Sequence, residues 1–135
     1  MADEAHDKVE GDGYAVAHID ALGEGPGFRK VRQALDVTAF GVNVVVLPPG
    51  VAGRCHYHER QEELYFVHRG TLELEFGDGT RHRLGPGGLA RVDARTVRLQ
   101  RNPSDAEDAV YLCAGGEGGY VGRDGRVPDA EGNLS

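Results

Sequence analysis

The chain has 135 residues, enough for one ordinary domain with a single core and too few for two. A net charge of −7 offers no global attraction to nucleic acid or an anionic membrane, and the longest apolar run, 44–49, is far below the ~20 residues of a bilayer span. With 21 glycines and 6 prolines beside 39% hydrophobic residues, the composition is that of a turn-rich folded chain, which excludes coiled coils and helical repeats.

Residues 1–12 are polar and charged (Asp3, Glu4, Asp7), carry no apolar stretch behind a basic start, and are expected to be a flexible segment without a secretory signal. Cys55 and Cys113 are too few for a disulfide framework, so a cytoplasmic protein is expected. The body is expected over 13–114. It opens with alternating residues 14–19. The stretch Gly23-Glu24-Gly25-Pro26-Gly27 reads as a turn, because Pro26 removes the amide donor a phosphate loop would need. The best helical window, 28–34, is short and lies beside glycines. A valine-rich strand, 39–47, is ended by Pro48, Pro49 and Gly50. Residues 64–67 lead through His68, Arg69 and Gly70 into 71–76, and Gly77-Asp78-Gly79 supplies a hairpin turn. Segments 80–84, 89–92, 97–102 and 109–113 complete the pattern. About eight short strands at near-even spacing, without intervening helices, point to an all-β antiparallel sandwich or barrel. Residues 115–135 form a tail rich in glycine and aspartate, in which Tyr120, Val121 and Val127 are the residues able to pin it to the body.

The chemistry concentrates at His56, His58 and Glu63. Strand positions two apart face the same way, so the two imidazoles project side by side. A carboxylate arriving from the neighbouring strand completes a 2-His-1-carboxylate set, which leaves coordination positions open for water or substrate. The alternative is a pair of surface histidines beside a glutamate in a charged loop. Glu62 is a rival to Glu63 as the carboxylate.

The stretch Gly50, five residues, His56, one residue, His58, four residues, Glu63, six residues, Gly70 resembles the first motif of the cupin superfamily at every fixed position. The resemblance covers roughly 40–113. It implies a double-stranded β-helix with a divalent transition metal in the barrel mouth, a small-molecule ligand and, as in many relatives, a homodimer. Exposed sheet edges give that last expectation a physical reason. The spacing to Gly70 selects Glu63 and leaves Glu62 as a solvated charge or a group that orients a ligand. The family's second motif is present only in outline. Gly87 and Asn102 fit, but Asp93, Arg95 and Arg98 stand where the family has proline, glycine and histidine. That histidine is the fourth metal ligand, and a guanidinium has no lone pair to donate. The site therefore keeps three ligands, with either an extra open position or weakened metal binding. An inward Arg98 would offer a planar fork to a substrate carboxylate, enolate or phosphate. It would otherwise pair with Glu62 or Glu63, or point outward.

Six arginines and one acid, Asp93, lie within 81–101. No aromatic residue is interleaved with them, so a solvated sheet face or subunit contact is expected rather than a nucleic-acid stripe. Tyr65 shares the strand parity of Glu63 and is either core or a hydrogen-bonding wall of the ligand pocket. Cys55 is expected to be small and buried, Cys113 to be core, and His68 and His82 to be exposed. His6 and His18 have no partner in sequence, and Pro103 disqualifies Asn102 as a glycosylation site. Two functions follow from the resemblance. One is a metal-dependent enzyme, dioxygenase-like or isomerase- or decarboxylase-like, with Fe2+ or Mn2+ favoured over Zn2+ or Ni2+. The other is a non-catalytic acid- or sugar-binding module with structural or absent metal.

Overall fold

The computed structural model describes residues 8–134, so the start of the chain, including His6 and most of the expected N-terminal segment, lies outside the described residues. In chain order the elements are β1 (Val9–Gly11), β2 (Tyr14–Val16), a 3-10 turn (Ile19–Ala21), β3 (Gly27–Arg29), α1 (Val31–Leu35), β4 (Gly41–Leu47) and β5 (Tyr57–His58). There follow β6 (Glu62–Arg69), β7 (Leu72–Phe76), β8 (Arg81–Leu84), β9 (Leu89–Val92), β10 (Arg98–Arg101), β11 (Ala109–Gly116) and β12 (Gly125–Arg126). Each of the eight expected strands has its counterpart. The four additional ones, β1, β3, β5 and β12, are two or three residues long, too short to show a period. The helical window resolves into β3 followed by a single helical turn, α1.

All pairings are antiparallel. One sheet runs β3-β4-β11-β6-β9. Facing it, β10-β7-β8 is joined to the β12-β5 pair through bridges at Ala52–Arg101 and His56–Arg98. The resulting fold is a double-stranded β-helix. Its core lies between the two sheets, where Val45, Tyr65, Val67, Leu72, Leu74 and Tyr111 pack together. A second, smaller cluster lies on the outer face of β4 and β11, where Val44, Val46 and Val110 meet Ile19 and Val31. The segment 19–35 therefore works as a cover over one sheet, and the valine run of β4 is continuous because both of its faces are buried.

Strand parity decides which side chains reach the interior. Along β6, Glu63, Tyr65 and Val67 are buried while Glu62, Leu64 and Phe66 are exposed. Along β10, Arg98 and Gln100 point inward. Gly70 turns the chain from β6 into β7 at φ 73°, and a Cβ there would strike the Asp108 carbonyl. Asn102 is buried where β10 ends. Its amide donates to the carbonyls of Leu47 at 2.9 Å and Glu107 at 2.7 Å, and its oxygen accepts from Ser104 N, tying the β10–β11 loop to the end of β4.

The arginine-rich stretch is explained by cross-strand pairing. Arg81 meets Glu75, Arg83 meets Glu73, Arg91 meets Glu62 and Asp93, Arg95 meets Glu59, and Arg101 meets Glu73 and Glu75. Glu73 sits between Arg83 and Arg101 at 3.2 Å from each. Burial works to raise its carboxyl, but hydrogen bonds from the two arginines outweigh that and hold it below its ordinary value. A depressed carboxyl stabilises the fold above the ordinary carboxylate range and loses that contribution as pH falls through the folded value. Glu73→Gln is therefore expected to flatten the acid side of the stability curve. Urea melts of parent and variant between pH 3 and 7 should converge at the acid end; parallel curves would refute the pairing.

Candidate metal centre

The segment before β5 is held against β10 by reciprocal bonds, His56 N to Arg98 O at 2.9 Å and Arg98 N to His56 O at 2.8 Å. This bridge and the period of two put His56 and His58 on one wall, with ring centroids 5.1 Å apart and the rings nearly perpendicular. Tyr57, between them, turns the other way and is fully buried. Across the barrel, β6 supplies Glu63. One ligand atom from each of His56, His58 and Glu63 lies within 4.8 Å of the others. Register makes room for this: Gly115 on β11 is paired with Glu63, and a Cβ there would approach Glu63 Cγ to 3.0 Å.

Each side chain of the cluster is oriented by a partner. His56 Nδ1 donates to the Arg54 carbonyl at 2.8 Å, which leaves Nε2 as its free donor atom. His58 Nε2 is buried without a hydrogen bond, although Glu63 Oε1 is 3.3 Å away. Its Nδ1 is flanked by Gln61 Nε2 at 3.3 Å and by Asp124 Oδ2 at 3.8 Å. Glu63 accepts from Gln61 Nε2 at 3.1 Å and from Tyr65 Oη at 3.0 Å, and Gln100 Nε2 in turn donates to that hydroxyl at 2.8 Å. An orphaned imidazole nitrogen facing a carboxylate oxygen, next to a second imidazole held by its far nitrogen, is a donor set that fits a divalent transition metal.

Electrostatics agree with that donor set. Burial lowers the His56 pKa, with the nearby Arg98 charge adding to it against the Arg54 hydrogen bond, so the ring is neutral and its lone pair available. Burial pushes Glu63 upward, but the His58 ring and the Arg98 guanidinium overcome it and bring the carboxyl down to about 2. Burial raises the Tyr65 and Cys113 pKa values, and the Glu63 charge adds to both, so the phenol and the thiol keep their protons.

The expected residues sort as follows. Glu63 joins the cluster, whereas Glu62 faces outward and pairs with Arg91 at 3.0 Å. Tyr65 belongs to the core and also turns its hydroxyl onto Glu63. Arg98 points inward as its parity requires, but its guanidinium is 0% exposed and lies inside the wall. It donates to the carbonyls of Ala94 and Asp93, each at 3.2 Å, and stands 3.7 Å from Glu63 Oε1. It presents no group to the cavity above the cluster. Cys55 corrects the expectation of burial: it is exposed, as is all of the 51–55 segment around it, because no described residue covers that face. Cys113 is half-buried against the core and lies against Glu63. His68 and His82 are exposed, and His18 caps the 3-10 turn by accepting from Asp20 N.

Asp124 is the participant that sequence reasoning missed. Residues 115–134 return across the barrel mouth, where β12 pairs with β5 and Tyr120 lies under the Arg32 guanidinium at 3.9 Å. Asp124 is buried and accepts from Arg60 N and Gln61 N, each at 2.8 Å, fixing the turn between β5 and β6. Burial works to raise its pKa, but those two amides bring it down, so it faces His58 as an anion. No short-range pattern links position 124 to the histidines; only the β12–β5 pairing does. Asp124→Ala is expected to weaken metal binding by about 10–100-fold, the size of effect seen for outer partners of metal-bound histidines. Asp124→Asn, which keeps the acceptor for the two amides, should lose less. Titration of the apoproteins with Mn2+ checks this, and equal affinity in all three would dismiss the orienting role.

Above the cluster opens a cavity of about 880 Å3, with Val42, Val45, Tyr111 and Phe28 among its apolar walls. Family comparison identifies the architecture: the family model of the cupin domain matches residues 43–115, which carry both histidines, Glu63 and Asn102. The chain is a cupin. This cupin resembles a sugar phosphate isomerase of the cupin superfamily from Silicibacter pomeroyi, with 23% identity, a TM-score of 0.64, and coverage of 96% of this chain and 90% of the other. A protein with a double-stranded β-helix domain from Klebsiella pneumoniae gives 20% identity and a TM-score of 0.66 over 76% of this chain and 90% of its own. A protein from Acidithiobacillus ferrooxidans described as a sugar phosphate isomerase gives 20% identity and a TM-score of 0.58 over 65% of this chain, which spans only 56% of that protein's length. At such identities the likeness concerns the fold. No curated protein matches the chain. Among the described residues no helix is long and apolar enough to cross a membrane.

Proposed function

We propose that this cupin holds one divalent transition metal through His56, His58 and Glu63 and acts on a small anionic or oxygenated organic molecule in the cavity above them. The observation that carries the reading is the convergence of three donor atoms within 4.8 Å, one of them the hydrogen-bond-deprived His58 Nε2, on the wall of a cavity of about 880 Å3. A metal bound there would supply Lewis-acid polarisation of an oxygen on the ligand.

The chain's own groups have distinct tasks in this reading. Gln61 and Tyr65 hold the two oxygens of Glu63, so the carboxylate is set before any ligand enters. Arg98 acts through Glu63, as a buried counter-charge, and Tyr65 is the protonated hydroxyl nearest that carboxylate. The apolar walls exclude water from the ligand's body. Isomerase-, decarboxylase- and dioxygenase-like reactions all fit this equipment, and the isomerase description of two fold relatives makes phosphorylated sugars reasonable first substrates to test. Fe2+ or Mn2+ suits the nitrogen and oxygen donor set, with Zn2+ and Ni2+ as the other candidates.

A second reading is supported by the Arg98–Glu63 pair. That carboxylate already has a cation beside it, so the barrel can stand without metal and serve as a small-acid or sugar-binding module. Elemental analysis of protein purified without chelator separates the two. Close to one transition metal ion per chain is the expected result. Metal-free protein that also takes up none from Fe2+, Mn2+, Zn2+ or Ni2+ would leave the binding module.

A further inference from the structure

Most cations of this acidic protein are neutralised locally. The arginines of 81–101 each have a carboxylate partner, as do Lys8, Arg60 and Arg126. Among the described residues, the cations without one are Arg29, Lys30, Arg32, Arg54, Arg69 and Arg123. Arg29 is committed to the Gly25 carbonyl at 2.8 Å. Of the other five, all but Arg69 line the cavity above His56, His58 and Glu63. They come from separate parts of the chain: Lys30 and Arg32 from the cover, Arg54 from the segment before β5, and Arg123 from the segment before β12. In a chain of net charge −7, the uncompensated positive charge is thus gathered at one opening.

One part of this rim stands directly beside the histidines. A methyl group at Gly125 would lie 3.6 Å from Arg54 Nη2 and 3.8 Å from His58 Cε1, so the guanidinium and the imidazole both border this glycine. Arg54 and Arg123 are both exposed, and neither has another side-chain commitment among the described residues. Arg98, the other inward cation, turns Nη1 and Nη2 to backbone carbonyls and does not line the cavity.

We propose that Arg54 and Arg123, assisted by Lys30 and Arg32, form an anion-capture subsite on the cavity wall. The ligand is then a small organic acid or phosphate ester whose charged group is held beside the His56–His58–Glu63 cluster while its apolar body lies along Val42, Val45 and Tyr111. The proposal rests on the cavity being the ligand site, but not on metal occupancy. A planar guanidinium fork suits a carboxylate or phosphate bound by two oxygens, and exposed arginines at an opening raise the capture rate of anions.

The test uses the full chain treated with chelator and two fluorescent probes of the same apolar body, 1-anilinonaphthalene-8-sulfonate and the uncharged N-phenyl-1-naphthylamine. The anionic dye is expected to bind about tenfold more tightly than the neutral one, and added salt should weaken only the anionic dye. Arg54→Gln/Arg123→Gln is expected to remove that preference, while Arg69→Gln keeps it. Equal affinity for the two dyes in the parent, or a preference untouched in the double variant, overturns the proposal. Should the double variant fail to fold, the dye comparison and its salt dependence in the parent still decide. Because the assay is metal-free, a dye preference kept by a parent protein that takes up no metal would mark failure of the metal reading alone, whereas metal uptake without a dye preference would mark failure of this one.

Discussion

Glu63→Gln is expected to abolish stoichiometric metal binding, whereas Glu62→Gln leaves it unchanged. The two carboxylates are neighbours in sequence but lie on opposite faces of β6. Glu62 spends its charge on Arg91 at the surface, a pair in high dielectric that contributes ~0–1 kcal/mol. Glu63 is buried, held down at about 2, and fixed through both oxygens by Gln61 and Tyr65. Glutamine conserves its shape and one of its two acceptor oxygens, and because it leaves Arg98 without its counter-charge a stability loss of about 3–5 kcal/mol is expected alongside the loss of metal. What it removes is the anionic donor, and the loss in affinity should exceed the ~10–100-fold of an outer partner. Isothermal titration of the apoproteins with Mn2+ and Zn2+ measures it directly. Wild-type-like affinity in Glu63→Gln, or loss in Glu62→Gln, would overturn the assignment of the carboxylate.

The place of Glu63 rather than Glu62 in the cluster was legible in the sequence because the cupin-like spacing to Gly70 selects it. The antiparallel strands were legible from the alternation in β6, the valine run of β4 and the turn at Gly77-Asp78-Gly79, local signals read over a few residues, and the resemblance specified a β-helix among such folds. Non-local facts were not legible. Asp124 reaches His58 only because β12, two residues long, pairs with β5, and no periodicity marks so short a strand. The exposure of Cys55 depends on what covers the 51–55 segment, which a strand pattern does not tell. For Arg98, its place in the second motif left an inward or outward direction open and gave no destination, since the Asp93 and Ala94 carbonyls that receive its guanidinium are placed by the turn between β9 and β10. The cationic opening is a similar case. Lys30, Arg32, Arg54 and Arg123 are scattered in sequence and gather only when the cover and the last segment fold over the barrel mouth.

Arg98 carries the second large effect, and its two consequences have opposite signs. Removing one member of a buried charge pair leaves the other uncompensated, a change that costs about 3–5 kcal/mol. Arg98→Met, which keeps an unbranched apolar side chain of adaptable shape, is therefore expected to lower the stability of the metal-free protein by about that amount. The same substitution removes a permanent positive charge from beside Glu63 Oε1, now 3.7 Å away, so a divalent cation no longer competes with a guanidinium for the carboxylate. Metal affinity should rise by at least about tenfold. By linkage, a ligand that binds the folded state stabilises it in proportion to its occupancy, so Mn2+ or Zn2+ should raise the Tm of Arg98→Met more than that of the parent. Arg98→Lys keeps a charge without the planar fork that spans Asp93 O, Ala94 O and Glu63, and is expected to fall between the two in both measurements. A role for Arg98 as a ligand clamp would show a different signature, with stability and metal affinity unchanged and loss confined to binding of the organic anion. Thermal melts with and without metal, set beside the calorimetric titration, distinguish these outcomes. If Arg98→Met were as stable as the parent without metal and no tighter with it, the buried cation would not be the counter-charge of Glu63.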